Sequence, residues 1–273
     1  MRLIIFTNRD LASNYHLNLL LPHVHEQVVS IFVSDKVGKT NKIVETPTPE
    51  VLRNLKFFEQ TLPNEILFPQ LDQQNRNLNA GKLLTFNELS KKYEFPIESL
   101  NEVKSVQTLD RIRGLKPDLM LSVRYGKIFK EDFIKIPTHG IINLHSGKLP
   151  QYRGVLASFR AFMNGDVLLQ TTLHYIQDGQ IDNGGIIGFS NLPVQPDKSL
   201  FWHILNLYPV SITLLLSTIQ QIETGTKLNI LVQKEIDSQY FTFPNQTEID
   251  IFIQKGYRFM DVSEYFDFIQ QYL

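Results

Sequence analysis

The chain has no cysteine among its 273 residues. That excludes a disulfide scaffold, a zinc–thiolate site, an iron–sulfur cluster and a cysteine nucleophile. It also lacks an excess of either charge, because 27 Lys+Arg against 28 Asp+Glu leave −1. A dedicated nucleic-acid binder usually carries the basic surplus that releases counterions, so no nucleic-acid partner is expected. The longest apolar run, around Val210–Leu216, falls well short of the roughly 20 residues that cross a bilayer, and no membrane contact is expected. The opening residues turn polar at Asn8-Arg9-Asp10 before any signal-peptide core is built, which predicts a cytoplasmic protein. Neither Gly-rich phosphate loop, G-x-G-x-x-G or G-x-x-x-x-G-K-[ST], occurs, nor does a G-x-S-x-G elbow or an H-E-x-x-H helix. His23-Val-His25 reads as a solvated loop pair, and no metal is expected.

What is present suits a globular chain, with 42% hydrophobic and 20% charged residues. Arg2–Thr7 is a short apolar run with the character of a buried parallel strand. A helix is expected over Leu11–Leu21 and a second strand over Val28–Val33, the opening of a doubly wound α/β fold. Thr48 and Pro49 predict the start of a helix running to about Leu62, with Thr48 as N-cap. Gln70–Asn79 reads as a polar surface loop, and Thr85-Phe-Asn-Glu88 fits a capping box. Strands are expected over Asp118–Val123, Gly140–Leu144, Thr171–Ile176 and Gly185–Phe189, with a helix over Val155–Met163. Ser199 predicts the cap of a long helix to about Ile222 that begins with Phe201 and the single tryptophan, Trp202, in core positions. Beyond Gly225 the pattern changes. Asn229–Val232 and Tyr240–Phe243 look β-like, Asn245-Gln-Thr-Glu248 resembles a capping box, and two short helices reach Leu273. The expected organisation is a main domain over 1–225 and a small α+β appendage over 226–273.

The chemistry concentrates in two stretches. In a strand ending near Leu144, Asn143 and His145 share one face at the carboxyl end, where open α/β sheets place ligands. Asp182 precedes Gly184 and Gly185, whose backbones allow close approach. An amide, an imidazole and a carboxylate brought together suit acyl transfer: the first two donate to a developing oxyanion, and the third orients the imidazole and accepts a proton.

Asn143-Leu-His145, then Leu149-Pro-Gln-Tyr-Arg-Gly154, then Asp182-Asn-Gly184 together resemble the signature of the folate-dependent formyltransferase family. The likeness runs over roughly Arg2–Pro193, is thin between Asp35 and Gln107, and is most like the nucleotide-sugar N-formyltransferases. It departs at His145-Ser-Gly147 and Lys148, where methionyl-tRNA formyltransferases have His-Gly-Ser and glycinamide ribonucleotide formyltransferases His-Pro-Ser. The resemblance implies a Rossmann-like α/β catalytic fold with a mostly parallel sheet, and 10-formyltetrahydrofolate as the co-substrate. It implies catalysis by Asn143, His145 and Asp182. Val123–Ile128 looks like the family's pterin-bordering segment, so Arg124, Tyr125, Gly126 and Ile128, with Asp178 and Gly179, are implied on the folate. Tyr152, Arg153, Gly154 and the Gln70–Asn79 loop are the implied acceptor contacts.

The acceptor implied is the primary amine of a nucleotide-linked amino-dideoxysugar, as in surface-polysaccharide synthesis, and Tyr240-Phe-Thr-Phe-Pro244 resembles the appendage of such enzymes. The alternatives are methionyl-tRNA, another small amine, or water in a formyltetrahydrofolate hydrolase. Against tRNA, the residues after Gly225 carry Lys227, Lys234, Lys255 and Arg258 against seven acids, the wrong sign for gripping phosphates. The tail's aromatics (Tyr257, Phe259, Tyr265, Phe266, Phe268, Tyr272) are expected to pack on the catalytic part or on a second copy in a homodimer.

Overall fold

The computed structural model describes residues 1–35 and 48–273. The chain opens with β1 (Leu3–Asn8), α1 (Leu11–Val24) and β2 (Val28–Ser34), followed by α2 (Glu50–Lys56), which continues through two π-helical turns into α3 (Phe68–Asp72). Next come α4 (Phe86–Tyr93), β3 (Ile97–Ser99), α5 (Val106–Gly114), β4 (Leu119–Val123), α6 (Glu131–Ile134) and β5 (Ile141–His145). Then follow β6 (Arg153–Gly154), α7 (Ala157–Asn164), β7 (Leu168–Ile176), β8 (Ile186–Pro193) and α8 (Leu200–Glu223). The tail supplies β9 (Tyr240–Phe241), α9 (Gln246–Gln254) and α10 (Val262–Ile269).

Among the described residues a seven-stranded sheet runs in the order β3-β2-β1-β4-β5-β7-β8. β3 to β5 are parallel, and β7 and β8 are added antiparallel. The strands read as continuous apolar runs because both faces are covered. On one face Ile142 and Leu144 join a large core with α1, α8 and the tail. On the other, Ile4, Phe6, Phe32 and Ile141 meet Phe129, Phe133 and Ile112. Phe6 stacks on Phe32 at 5.5 Å and meets Phe129 edge-on at 5.1 Å. The order reverses direction between β1 and β4, the switch point beyond which α/β sheets carry their ligands.

Caps expected from sequence are in place. Thr85 and Asn245 head capping boxes, and the Ser199 hydroxyl accepts from the Trp202 amide. Three expectations are corrected. Thr48 does not cap α2; Pro49 holds the N-cap position, and the helical path extends to Asp72 by accommodating extra residues as π-turns. α7 starts only at Ala157 because Leu156, at φ +53°, sits outside helical geometry. Asn229–Val232 forms no strand, only a two-way bridge of Leu231 to Ile186.

α8 corrects a fourth. It is long and apolar enough, by length and composition, to cross a membrane, although half of that window is buried here. Its apolar residues are interrupted by uncharged Asn206, Ser211 and Ser217, so no single run reveals it.

The tail packs on its own chain. Phe252, Phe259, Tyr265 and Tyr272 lie in the large core. The backbone amides of Leu200 and Phe201 donate to the carbonyls of Arg258 and Phe259 at 2.8 and 3.0 Å, and Arg160 pairs with Glu248. Those aromatics therefore need no second copy to cover them; Phe266 alone of the six is exposed.

Candidate active site

β5 ends beside the antiparallel β7, and the register sets Asn143 directly opposite His174. Their side chains share a face and meet: the Asn143 Nδ2 donates to His174 Nε2 at 3.0 Å. His145, two residues on, is opposite Thr172. The loop after β7 returns Asp182 to the same place. Its Oδ2 lies 3.5 Å from His145 Nδ1, and its Oδ1 lies 3.6 Å from His174 Nε2. Asn143, His145 and Asp182 are thus brought together as expected, and His174 joins them. Sequence reasoning missed His174. The signal was available in the register, since a residue opposite Asn143 on a neighbouring strand must share its face.

Hydrogen bonding assigns the ring protons. A carbonyl only accepts, so the 2.7 Å contact from His145 Nε2 to Tyr152 O places a proton on Nε2. The 2.9 Å contact from His174 Nδ1 to Tyr175 O likewise places one on Nδ1. The nitrogens turned toward Asp182 are then lone-pair nitrogens when the rings are neutral. A proton arriving on either ring meets the carboxylate, which is what a general base requires. Burial alone would raise the Asp182 pKa. The charge of His145, the contacts with His174 and the 2.9 Å hydrogen bond from the Gly154 amide outweigh that and hold the carboxyl well below its usual range.

Asp182 sits at φ +53°, in the left-handed region. For a residue with a side chain this costs on the order of 1–2 kcal/mol, and it persists only where the surroundings fix it. The loop after His145 is pinned too. Thr172 Oγ1 donates to Gly147 O at 2.6 Å and accepts from the Leu149 amide at 3.1 Å. A Cβ at Gly147 would stand 2.3 Å from Ala157 Cβ and 2.8 Å from His145 Nε2, so only glycine lets this loop close over the imidazole.

Several implied binding residues are engaged inside the protein instead. Tyr152 is buried, and its hydroxyl donates to Asp166 at 2.8 Å. The Arg153 guanidinium donates to Ile181 O at 2.8 and 2.6 Å and to Ser238 Oγ at 3.0 Å. Gly154 serves Asp182 through its amide. These residues shape the loop. In the Gln70–Asn79 stretch, Asp72 accepts from Thr85 and from Asn87 (2.6 Å), and Arg76 pairs with Glu88 at 3.2 Å. That stretch is tied to the start of α4.

At the switch point, Arg124 (φ +60°) turns inward to pair with Asp10 at 3.1 Å and with Glu59, and it donates to Tyr208 at 3.2 Å. Its side chain is therefore engaged inside the protein. Burial would lower its pKa, but Asp10 and Glu59 outweigh that and keep it charged. Burial pushes Glu59 up to about 7, with Arg124 opposing and Asp10 adding to the rise. The Tyr125 hydroxyl donates to Leu100 O at 2.7 Å, and the Gly126 amide donates to Ser34 Oγ at 2.9 Å. Ile128 is exposed. Asp178 caps its own turn at the Gln180 amide, and Gly179 lies against Lys130, so the 178–179 turn and the 124–130 segment are neighbours. A separate cavity of about 220 Å³ opens between α1, α8 and α10, lined by Tyr15, Trp202 and Phe268 among others. Trp202 is half-buried at its wall rather than fully in the core.

Residues 71–201, which span α4 through the start of α8 and include all four polar residues of the site, match the family described as Formyl transferase. That stretch is similar to a formyltransferase domain. Among relatives of the domain, methionyl-tRNA formyltransferase of Syntrophomonas wolfei is 27% identical over 173 residues, 62% of this chain and 55% of that protein. The chain spans about half the length of that relative. The formyltransferase fold is shared with an N-formyltransferase from Helicobacter canadensis solved with folinic acid and dTDP-3-aminofucose. That structure has a TM-score of 0.53 and 19% identity, covering 88% of this chain and 71% of that one. It is shared as well with phosphoribosylglycinamide formyltransferase from Anaplasma phagocytophilum, at TM-score 0.56 and 17% identity, covering 89% and 99%.

Proposed function

We propose that the chain transfers the formyl group of 10-formyltetrahydrofolate to the primary amine of a nucleotide-linked amino-dideoxysugar. The observation that carries the transfer is the convergence of Asn143, His145, His174 and Asp182 at the carboxyl edge of β5, inside the stretch similar to a formyltransferase domain. In this reading the amine attacks the formyl carbon and charge grows on the formyl oxygen. Asn143, whose Nδ2 keeps a second hydrogen beyond the one given to His174, stabilises that oxygen, and His145 joins it when its Nε2–H turns from Tyr152 O to the formyl oxygen; losing one such donor typically costs about 100- to 1,000-fold in rate. Asp182, facing the two rings, takes up the proton that leaves the attacking nitrogen; the bond from the formyl carbon to N10 of the folate then breaks, and tetrahydrofolate departs with a proton on N10. The folate is proposed to lie along Gly126 and Ile128, with the Asp178–Gly179 turn at its side.

The sugar acceptor is supported by the Helicobacter canadensis neighbour, whose ligand was dTDP-3-aminofucose, and by the tail's charge, four positive against seven negative. The second reading, methionyl-tRNA as acceptor, is favoured by the names of the curated relatives. Incubation with 10-formyltetrahydrofolate and either nucleotide-amino sugars or methionyl-tRNA separates the two. Tetrahydrofolate release that depends on an amino sugar, with a formyl mass increment on it, supports the proposal. Release with methionyl-tRNA alone replaces it, and release without any amine marks a hydrolase. His145→Ala is expected to slow the reaction by more than about 100-fold.

A further inference from the structure

The tail comes back to the site at one point. Gln233 Nε2 donates to Asp182 O at 3.1 Å and to Gly184 O at 2.7 Å. The opposite placement of this amide would set its oxygen against two carbonyl oxygens, so the assignment is fixed by its partners. Arg153 meanwhile donates twice to Ile181 O. The carbonyls of residues 181, 182 and 184 are therefore all held by side-chain donors around the left-handed Asp182. Arg153 is in turn held by the tail, through Ser238 Oγ at 3.0 Å and through the parallel pairing of β6 with β9. That same pairing carries Gly154, whose amide grips the Asp182 carboxylate. Ile230 packs so close to Gly185 that a Cβ there would stand 2.4 Å from its Cγ2.

We propose that the tail between Gln233 and Phe241 is a latch that sets the Asp182 carboxylate against the two imidazoles, and that Gln233 is its positioning residue. The proposal rests on Asp182 serving the transfer described above. Among the described residues the Gln233 side chain hydrogen-bonds only to backbone carbonyls, and it acts through the orientation of Asp182. Removing its two donors frees the Asp182 and Gly184 peptides while leaving Asn143, His145 and His174 where they are.

The test is Gln233→Met, which keeps the length and deletes both donors, beside Gln233→Glu, which keeps the shape and faces the carbonyls with acceptors. In the transfer assay kcat falls about 10- to 100-fold, as expected of a misplaced catalytic group. The KM values for folate and amine stay within about twofold, because no substrate contact is removed. In parallel, the ring ¹⁵N resonances of His145 and His174 shift, and those of His16, which no hydrogen bond links to the site, hold. Unchanged kcat, or ring resonances that coincide with the unmodified protein, overturns the latch. If Gln233→Met does not fold, Gln233→Glu is read by the same two measurements. If the unmodified protein transfers formyl to no acceptor, the ring resonances alone decide the latch, and only the proposed function is lost.

Discussion

Asp182→Asn tests the site without depending on the identity of the acceptor. The substitution keeps volume and removes charge from a carboxylate that accepts from the Gly154 amide at 2.9 Å and faces ring nitrogens at 3.5 and 3.6 Å. Hydrogen bonds to a buried charge contribute about 1.5–3 kcal/mol, so the variant is expected to lose about 2–3 kcal/mol of unfolding free energy at pH 7. The sign of the pH dependence follows from the depressed Asp182 carboxyl. Its contribution is fully present above the unfolded value of 3.8 and is lost as pH falls through the acid range below it. Urea titrations at pH 5 and 3.5 should therefore give a gap between variant and unmodified protein that begins to narrow at the lower pH. Turnover should fall by more than about 100-fold at pH 7. Equal stability at pH 7 would refute the network, and near-normal turnover in a destabilised variant would remove Asp182 from the chemistry while leaving its structural part.

Two further outcomes follow from the same geometry. His16 is fully buried against Tyr208 at 5.5 Å, with neither ring nitrogen hydrogen-bonded among the described residues, and burial pushes its pKa down to about 3. Below pH 6.5 the unfolded chain binds a proton that the folded one refuses, so stability falls by up to about 1.4 kcal/mol per pH unit as acid is added. His16→Phe is expected to remove that slope between pH 6.5 and 4.5; a slope equal to that of the unmodified protein in urea titrations contradicts the buried neutral ring. Gly147→Ala forces a methyl into the space held by Ala157 and His145. It is expected to cost about 1–3 kcal/mol by overpacking and to displace His145 from Tyr152, which a loss of both melting temperature and turnover would register.

Much of the fold was legible because the signals were local. β1 and β2 are short apolar runs ended by polar residues, and Thr85, Ser199 and Asn245 sit where a cap must be. The discrepancies have tertiary causes. The chain after Pro49 keeps helical geometry to Asp72 through two π-turns, which carry no periodic signature of their own. Leu156 adopts φ +53° although leucine disfavours it, so its sequence argued for helix. In the site, Asn143, His145 and Asp182 were visible as a motif. Tyr152 and Arg153 were visible as residues, but their partners Asp166, Ile181 and Ser238 lie at distances along the chain that no spacing rule connects.

The segment Asn8-Arg9-Asp10 shows the same limit and bears on the acceptor. Following a strand and opening a helix, it occupies the place where α/β folds offer a free helix N-terminus to an anion. Here the Asp10 carboxylate caps α1 at the Ser13 amide at 2.7 Å, accepts from Asn8 Nδ2 at 2.8 Å and pairs with Arg124. Glu59 closes on the same guanidinium. The dipole end and the buried cation are thus both neutralised by the chain's own carboxylates, and a phosphate brought there would meet Asp10 and Glu59 before any donor. The phosphates of a nucleotide-linked acceptor therefore find no free anion site at α1.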